Sequence, residues 1–326
     1  MEKGYYLSNI NTPYDNAFHT LQNDCPELII PLVNELFGED YTGSESIEFL
    51  QNELFFQETD NNTAKRITDS SFCITRNIEG ILRKKRYHLE CQTNPDGSMI
   101  VRMFEYDALI ALKNGERTEE GLIVRFPQSA ILYLRHTKNT PDSLTIRIET
   151  PGGHLSYPVP ILKVKTYTIQ EIFEKHLLFL IPFYIFCYEA ELKEISLNTK
   201  RLETLKSEYG MIRERLDALV STNKLSEYAR NTILSATKNV INSLTANFAV
   251  ISKGVNASMF GVYELVDTPE RRLLQAGRER GKIEGKYESL VQNIDNLMKN
   301  LSISLEEACR ILEVSPEDYK NVKYIK

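Results

Sequence analysis

The 326-residue chain has no tryptophan, so it lacks the large indole faces on which sugar rings stack, and a glycoside hydrolase working through paired carboxylates is disfavoured. Its five cysteines (25, 73, 91, 187 and 309) are scattered, with no Cys-x-x-Cys pair and no Cys/His cluster. That spacing excludes a zinc ribbon, and reduced, mostly buried thiols are expected. No P-loop glycine pattern and no serine or cysteine nucleophile motif is present, which removes those enzyme classes. Long apolar runs are missing too: "LLFLIPFYIF" (177–186) is too short to span a bilayer and has Pro182 in its middle. A buried helix or strand is expected there, and no membrane association. The opening "MEKGYYLSNINTPYD" lacks a positive region followed by an apolar block, so a cytoplasmic protein without a secretory signal is expected. Basic residues are scarce at the front. Residues 1–60 hold twelve Asp and Glu against one Lys, a net −11 within a total of −6, which leaves +5 for the remainder. A moderately basic surface is compatible with that remainder.

Hydrophobic residues at 42% and charged residues at 26% exclude wholesale disorder. Length alone admits one or two domains. After Pro13 the apolar positions Phe18, Leu21, Leu28, Ile29, Leu32, Val33 and Leu36 recur at helical spacing up to Gly38, with Pro26 and Pro31 predicted to split the run. "SIEFLQNELFF" (46–56) and "KRITDSSFCITR" (65–76) suit strands. A turn-like, basic "NIEGILRKKR" (77–86) then leads into the strand "RYHLECQT" (86–93), which makes a hairpin with 65–76. "NPDGS" reads as a turn, with Ser98 predicted to cap a helix ending near Gly115. "SAILYLRH" (129–136) is a strand, and further strands lead to a helix starting near Thr168. The order is helix, strand, strand, strand, helix, strand, an α/β arrangement with a small mixed sheet. From 187 onward, long amphipathic stretches predict an all-helical part. Near the end, Gly277, Gly281 and Gly285 recur in a charged setting that suits a solvated tether. Two short helices capped by Ser304 and Ser315 follow.

"YHLECQT" (87–93) carries the chemistry. Tyr87, Leu89 and Cys91 alternate with His88, Glu90 and Gln92, so a carboxylate and a carboxamide face the same way from one strand. The predicted hairpin sets Asp69 beside them. Residues opposite each other in antiparallel strands lie about 5 Å apart, close enough for two carboxylates to share one divalent ion. Such an ion needs only one or two protein carboxylates, with water and phosphate completing its shell.

"ITDSSF", "YHLECQT", "DGSMIVRMFEYDALIAL", "YDNAFHTL" and "EIFEKHLLFLIPFYIF" resemble the PD-(D/E)XK nuclease family transposases, relatives of the Rpn recombination-promoting nucleases, over most of residues 12–190. The resemblance implies a restriction-endonuclease-like α/β core over 1–186; the composition shift adds a helical domain over 187–270, and the glycine-spaced and capped segments a charged tether with a helix-turn-helix tail over 271–326. The resemblance also implies a DNA endonuclease using Mg²⁺, or Mn²⁺ or Ca²⁺, and cutting both strands with one active site per chain calls for a homodimer. Asp69 and Glu90 would be metal ligands, with the carbonyl oxygen of Cys91 a third. Gln92 stands where the wider superfamily has lysine, and an amide orients water but brings no charge to the transition state. Arg102 is the candidate for the missing cation, one helical turn from Tyr106; a structural ion pair is the alternative. Asp15 completes the acidic cluster or caps a helix. Glu53 lines the site or lies exposed on its strand, and His19 replaces an expected basic helper. Arg83, Lys84, Lys85 and Arg86 contact phosphate or form a solvated hairpin tip. The alternative function is a DNA- or protein-binding element that keeps the nuclease fold with little chemistry.

Overall fold

The computed structural model describes residues 12–50 and 70–260, the backbone of 53–57 and 63–67, and short pieces between 291 and 319. Helix α1 (Pro13–Asp24) starts at Thr12, whose hydroxyl accepts the Asp15 N–H while the Asp15 carboxylate accepts the Thr12 N–H. This reciprocal capping satisfies two of the donors orphaned at a helix start. Pro26 ends the run as predicted, but Pro31 does not break it. Pro31 lies in the first turn of α2 (Ile29–Phe37), where an N–H has no intrahelical acceptor to lose.

Strand β1 (Ser46–Phe49) is followed by a two-stranded ribbon of β2 (Glu53–Gln57) and β3 (Thr63–Ile67). Then come β4 (Ser70–Ile78), β5 (Ile81–Gln92), helix α3 (Met99–Lys113), a small ribbon of β6 (Glu116–Thr118) and β7 (Gly121–Ile123), β8 (Gln128–Tyr133), β9 (Ser143–Thr150) and β10 (Gly153–Lys163). The main sheet has six strands in the order β1-β4-β5-β8-β10-β9. β1, β4 and β5 run antiparallel, β5 and β10 each lie parallel to β8, and β9 closes the edge antiparallel to β10. The fold is mixed α/β, and α3 is the crossover between the parallel pair β5 and β8.

The predicted turn over 77–86 is mostly strand. The reversal is confined to Glu79 and Gly80, both at positive φ (52° and 85°), a geometry whose twist matches that of the flanking strands. Asn77 Oδ1 accepts the Gly80 N–H at 2.8 Å. Gly80→Ala is therefore expected to cost about 1–2 kcal/mol, the penalty for a side chain in left-handed backbone. Urea denaturation checks it, and an unchanged midpoint would contradict the turn.

Strand alternation divides the sheet's two faces. Phe72, Ile74, Tyr87, Leu89, Ala130 and Leu132 enter one apolar cluster with α1, α2 and the 3-10 segment Leu178–Glu191. Met99 and Met103 of α3 cover Ile131 and Tyr133 on the other face. The run around Pro182 is thus buried, in tight 3-10 turns rather than an α-helix or a strand. The helix expected to start near Thr168 is α4 (Ile169–Glu174), and Thr168 caps it. α5 (Leu192–Leu197), α6 (Thr199–Ser221), α7 (Glu227–Leu244) and α8 (Ala249–Phe260) supply the expected helical part, and their apolar faces join the first cluster.

The chain divides into two compact units, Met1–Phe56 with Ala64–Val262, and Gln57–Thr63 with Tyr263–Lys326. The boundary expected at 186/187 falls inside the first. In the second, Ser304 caps α9 (Leu305–Ile311), and Ile294, Ala308, Cys309 and Tyr319 are buried together. Gly277, Gly281 and Gly285 lie outside the described residues. No described helix is long and apolar enough to cross a membrane.

Candidate functional site

β5 sets His88, Glu90 and Gln92 on the sheet face that α3 covers. His88 is wholly buried and Glu90 is 2% exposed. His88 Nε2 lies 2.9 Å from Glu90 Oε1, and its Nδ1 lies 2.8 Å from Asp107 Oδ1 on α3. Burial pushes this imidazole's pKa down, but the hydrogen bonds and charges of Asp107 and Glu90 outweigh it and raise the value to about 9. At neutral pH His88 is an imidazolium donating from both nitrogens, clamped between two carboxylates. Ser129 of β8, the register partner of His88, donates to Asp107 Oδ1 at 2.6 Å. Tyr106 closes the group edge-on, its ring centre 5.8 Å from that of His88.

The network continues outward from Glu90. Gln92 Nε2 donates to Glu90 Oε2 at 3.4 Å, and Arg102 donates to Gln92 Oε1 at 3.3 Å. Arg102 also reaches Asp96 Oδ2 at 3.4 Å. Its ion pair is therefore with Asp96, while the same guanidinium holds the carboxamide of Gln92. Asp96 also takes the hydroxyl of Ser98, at 2.6 Å. Ser98 thus precedes α3 without capping it through its side chain, contrary to the sequence reading.

On α1, Asp15 acts as the capping carboxylate and also lies within Coulombic reach of His19, as does Glu90. Burial lowers the pKa of His19 against the pull of both carboxylates, leaving a neutral imidazole at pH 7. The Cys91 side chain is buried in the opposite face, so only its backbone runs alongside Glu90 and Gln92. Asp69 lies outside the described residues, and of Glu53 only the strand backbone is described. Asp69 precedes Ser70, whose register partner Leu89 precedes Glu90.

Arg83, Lys84, Lys85 and Arg86 lie within β5 rather than at a tip, so alternation divides them between two faces. Lys84 is paired with Glu48 and Lys85 with Glu39.

The sequence reading missed Asp107 and Ser129. A signal for Asp107 existed: it sits one helical turn from Met103 within the apolar stripe of α3, and a carboxylate there requires a buried partner. Ser129 offered none.

Oxygen donors suit a hard divalent cation, and Glu90, a neighbouring carboxamide and a strand carbonyl are of that kind. Among the described residues no three His, Cys, Asp or Glu side chains form a group able to hold a metal. Glu90 Oε1 accepts from His88 and Oε2 from Gln92, which fixes the carboxylate in orientation. No protein-family model, curated protein or solved structure matches the chain.

Proposed function

We propose that the chain is a metal-dependent DNA endonuclease with a restriction-endonuclease-like core, related to the PD-(D/E)XK transposases and Rpn nucleases that its motifs resemble. The observation that carries the reading is the row Glu90, Gln92, Arg102. A fixed carboxylate, a carboxamide and a guanidinium stand in hydrogen-bonded sequence at the C-terminal end of a parallel strand pair, where open α/β sheets place their ligands. The main-sheet succession β1, β4, β5, α3, β8 supports it, although the strands expected over 46–56 and 65–76 each split and the β2–β3 ribbon stands between them. Mg²⁺ held by Asp69, Glu90 and the Cys91 carbonyl would supply charge to polarise a phosphoryl oxygen and acidify a water. Gln92 orients that water through its amide. Arg102 supplies the positive charge that Gln92 lacks, and neutral His19 is a proton acceptor. His88 acts behind Glu90, holding its carboxylate in one rotamer. Cutting both strands with one site per chain calls for a homodimer, which we place in the cytoplasm.

A second reading, a binding element with little chemistry, is favoured by one observation. The Glu90 charge is already balanced by the His88 imidazolium in the core. Plasmid nicking by purified protein with Mg²⁺, Mn²⁺ and Ca²⁺ in turn, beside EDTA and Asp69→Ala, decides between them. Metal-dependent nicking that vanishes in the variant is expected, and folded protein that cuts under no ion overturns the endonuclease reading.

A further inference from the structure

The C-terminal ends of three neighbouring parallel strands bring a second set of charges to the same edge. Gln92 of β5, Tyr133 of β8 and Lys163 of β10 are register partners, so they form one row across the sheet and share its α3 face. With strands about 4.8 Å apart, Lys163 stands roughly 10 Å from Gln92. The Lys163 ammonium is held in place by Thr140 O at 2.6 Å and Asp142 Oδ1 at 2.7 Å. Its bond to Thr140 ties down the turn that carries exposed Lys138. Lys165 follows in the short 3-10 turn Val164–Thr166. Among the described residues neither Lys138 nor Lys165 has a hydrogen-bond or ion-pair partner.

His136 leads into this group from β8, and its Nδ1 is buried without a hydrogen-bond partner. Burial, then the charges of Lys163 and Lys165, lower its pKa. The site therefore concentrates positive charge that nothing nearby fully neutralises. Its acids are Asp142, which is almost fully exposed beside Lys163, Asp96 beside Arg102, and buried Glu90, which already faces the His88 imidazolium. Arg135 is not part of it, since its guanidinium is held in a bidentate pair by Glu189.

From this placement we propose that Lys138, Lys163 and Lys165, with Arg102 at the other end of the row, bind the phosphodiester backbone of duplex DNA and lead it past Glu90. The proposal rests on the endonuclease reading for the identity of the polyanion. Duplex DNA carries a phosphate about every 3.4 Å of axis on each strand, so a row of this length faces a few phosphates at once. The strand cations Arg83 to Arg86 have no comparable arrangement, being divided between two faces.

The test uses the full chain and a fluorescein-labelled random-sequence duplex. Anisotropy is followed in Ca²⁺ between roughly 50 and 200 mM salt, with plasmid nicking in Mg²⁺ run in parallel. Lys138→Glu with Lys165→Glu is expected to weaken binding at least about tenfold and to flatten the log–log salt slope by about two phosphate contacts. The neutral pair Lys138→Gln and Lys165→Gln is expected to give a smaller loss, with an unfolding curve like that of wild type. Binding within about twofold of wild type at an unchanged slope overturns the track. If wild type nicks while that is seen, the endonuclease reading survives alone. Loss of binding in the variants, with no nicking by wild type, leaves the track and overturns the endonuclease reading. Wild type that binds no duplex at low salt overturns both.

Discussion

Glu90→Gln abolishes metal-dependent nicking and leaves a folded chain, whereas Glu90→Ala loses both activity and much of its stability. The difference follows from where Glu90 sits. Its Oε1 accepts the His88 Nε2–H at 2.9 Å inside a core where the imidazolium is wholly buried. Glutamine keeps an oxygen acceptor and nearly the same volume at that point, while its neutral amide is a far weaker ligand for a hard cation. Alanine removes the acceptor, opens a cavity, and leaves a buried cation with one unpaired N–H. Breaking a buried ion pair from one side costs about 3–5 kcal/mol, a large fraction of the roughly 5–15 kcal/mol that holds a domain together. Inactivity of Glu90→Ala is thus uninformative by itself, and Glu90→Gln is the variant that reports on chemistry. Nicking and urea denaturation on both variants separate the cases. Wild-type cutting by Glu90→Gln would remove Glu90 from the site. Wild-type stability of Glu90→Ala would remove the buried ion triad.

What the sequence disclosed about this site was local, and what it concealed was tertiary. Period-two alternation in "YHLECQT" placed His88, Glu90 and Gln92 on one face, because side-chain direction in a strand depends on nothing beyond the strand. The helical spacing of α3, the helix start near Thr168 and the cap at Ser304 were legible for the same reason. Asp107 was not, because its role is set by meeting His88 across a helix-to-sheet contact 19 residues away. The basic stretch 83–86 looked like a turn on composition. It is strand because its backbone ladders antiparallel with β4, with Lys84 and Lys85 then meeting Glu48 and Glu39, and that pairing became visible only once the hairpin had been placed. Pro31 misled for a positional reason: the cost of proline depends on its place within the helix, and α2 begins two residues before it. The long 3-10 segment around Pro182 also escaped, since continuous apolarity fixes burial without fixing a period.

The same triad makes stability depend on pH in a window where little else titrates. His88 has an ordinary value of 6.5 and stands at about 9 when folded, so the folded chain holds its proton more tightly than the unfolded one. Below about pH 6.5 both states are protonated and the stabilisation is complete. As pH rises toward 9 the unfolded chain gives up this proton while the folded chain keeps it, and stability falls by about 1.4 kcal/mol per unit. The loss totals about 3 kcal/mol once the folded imidazole has also deprotonated. Its physical cause is that a neutral ring can donate to only one of Glu90 and Asp107, and its bare nitrogen then faces the lone pairs of the other. Lys113, lowered from 10.5 by burial, opposes the fall on the approach to that value. His19 and His136 have lowered values and so act below the window, with the opposite sign. Tyr157, Tyr167 and Cys187 are all raised from starting values of 9 or 10 and weaken the fold only above it. Urea midpoints taken from about pH 6.5 to 9 should therefore decline steadily, and Asp107→Asn, which removes one of the two charges raising His88, should flatten the decline from a lower starting stability. A wild-type profile that stays level across this window would mean that His88 is neutral in the core, leaving Glu90 without the counter-charge that fixes it.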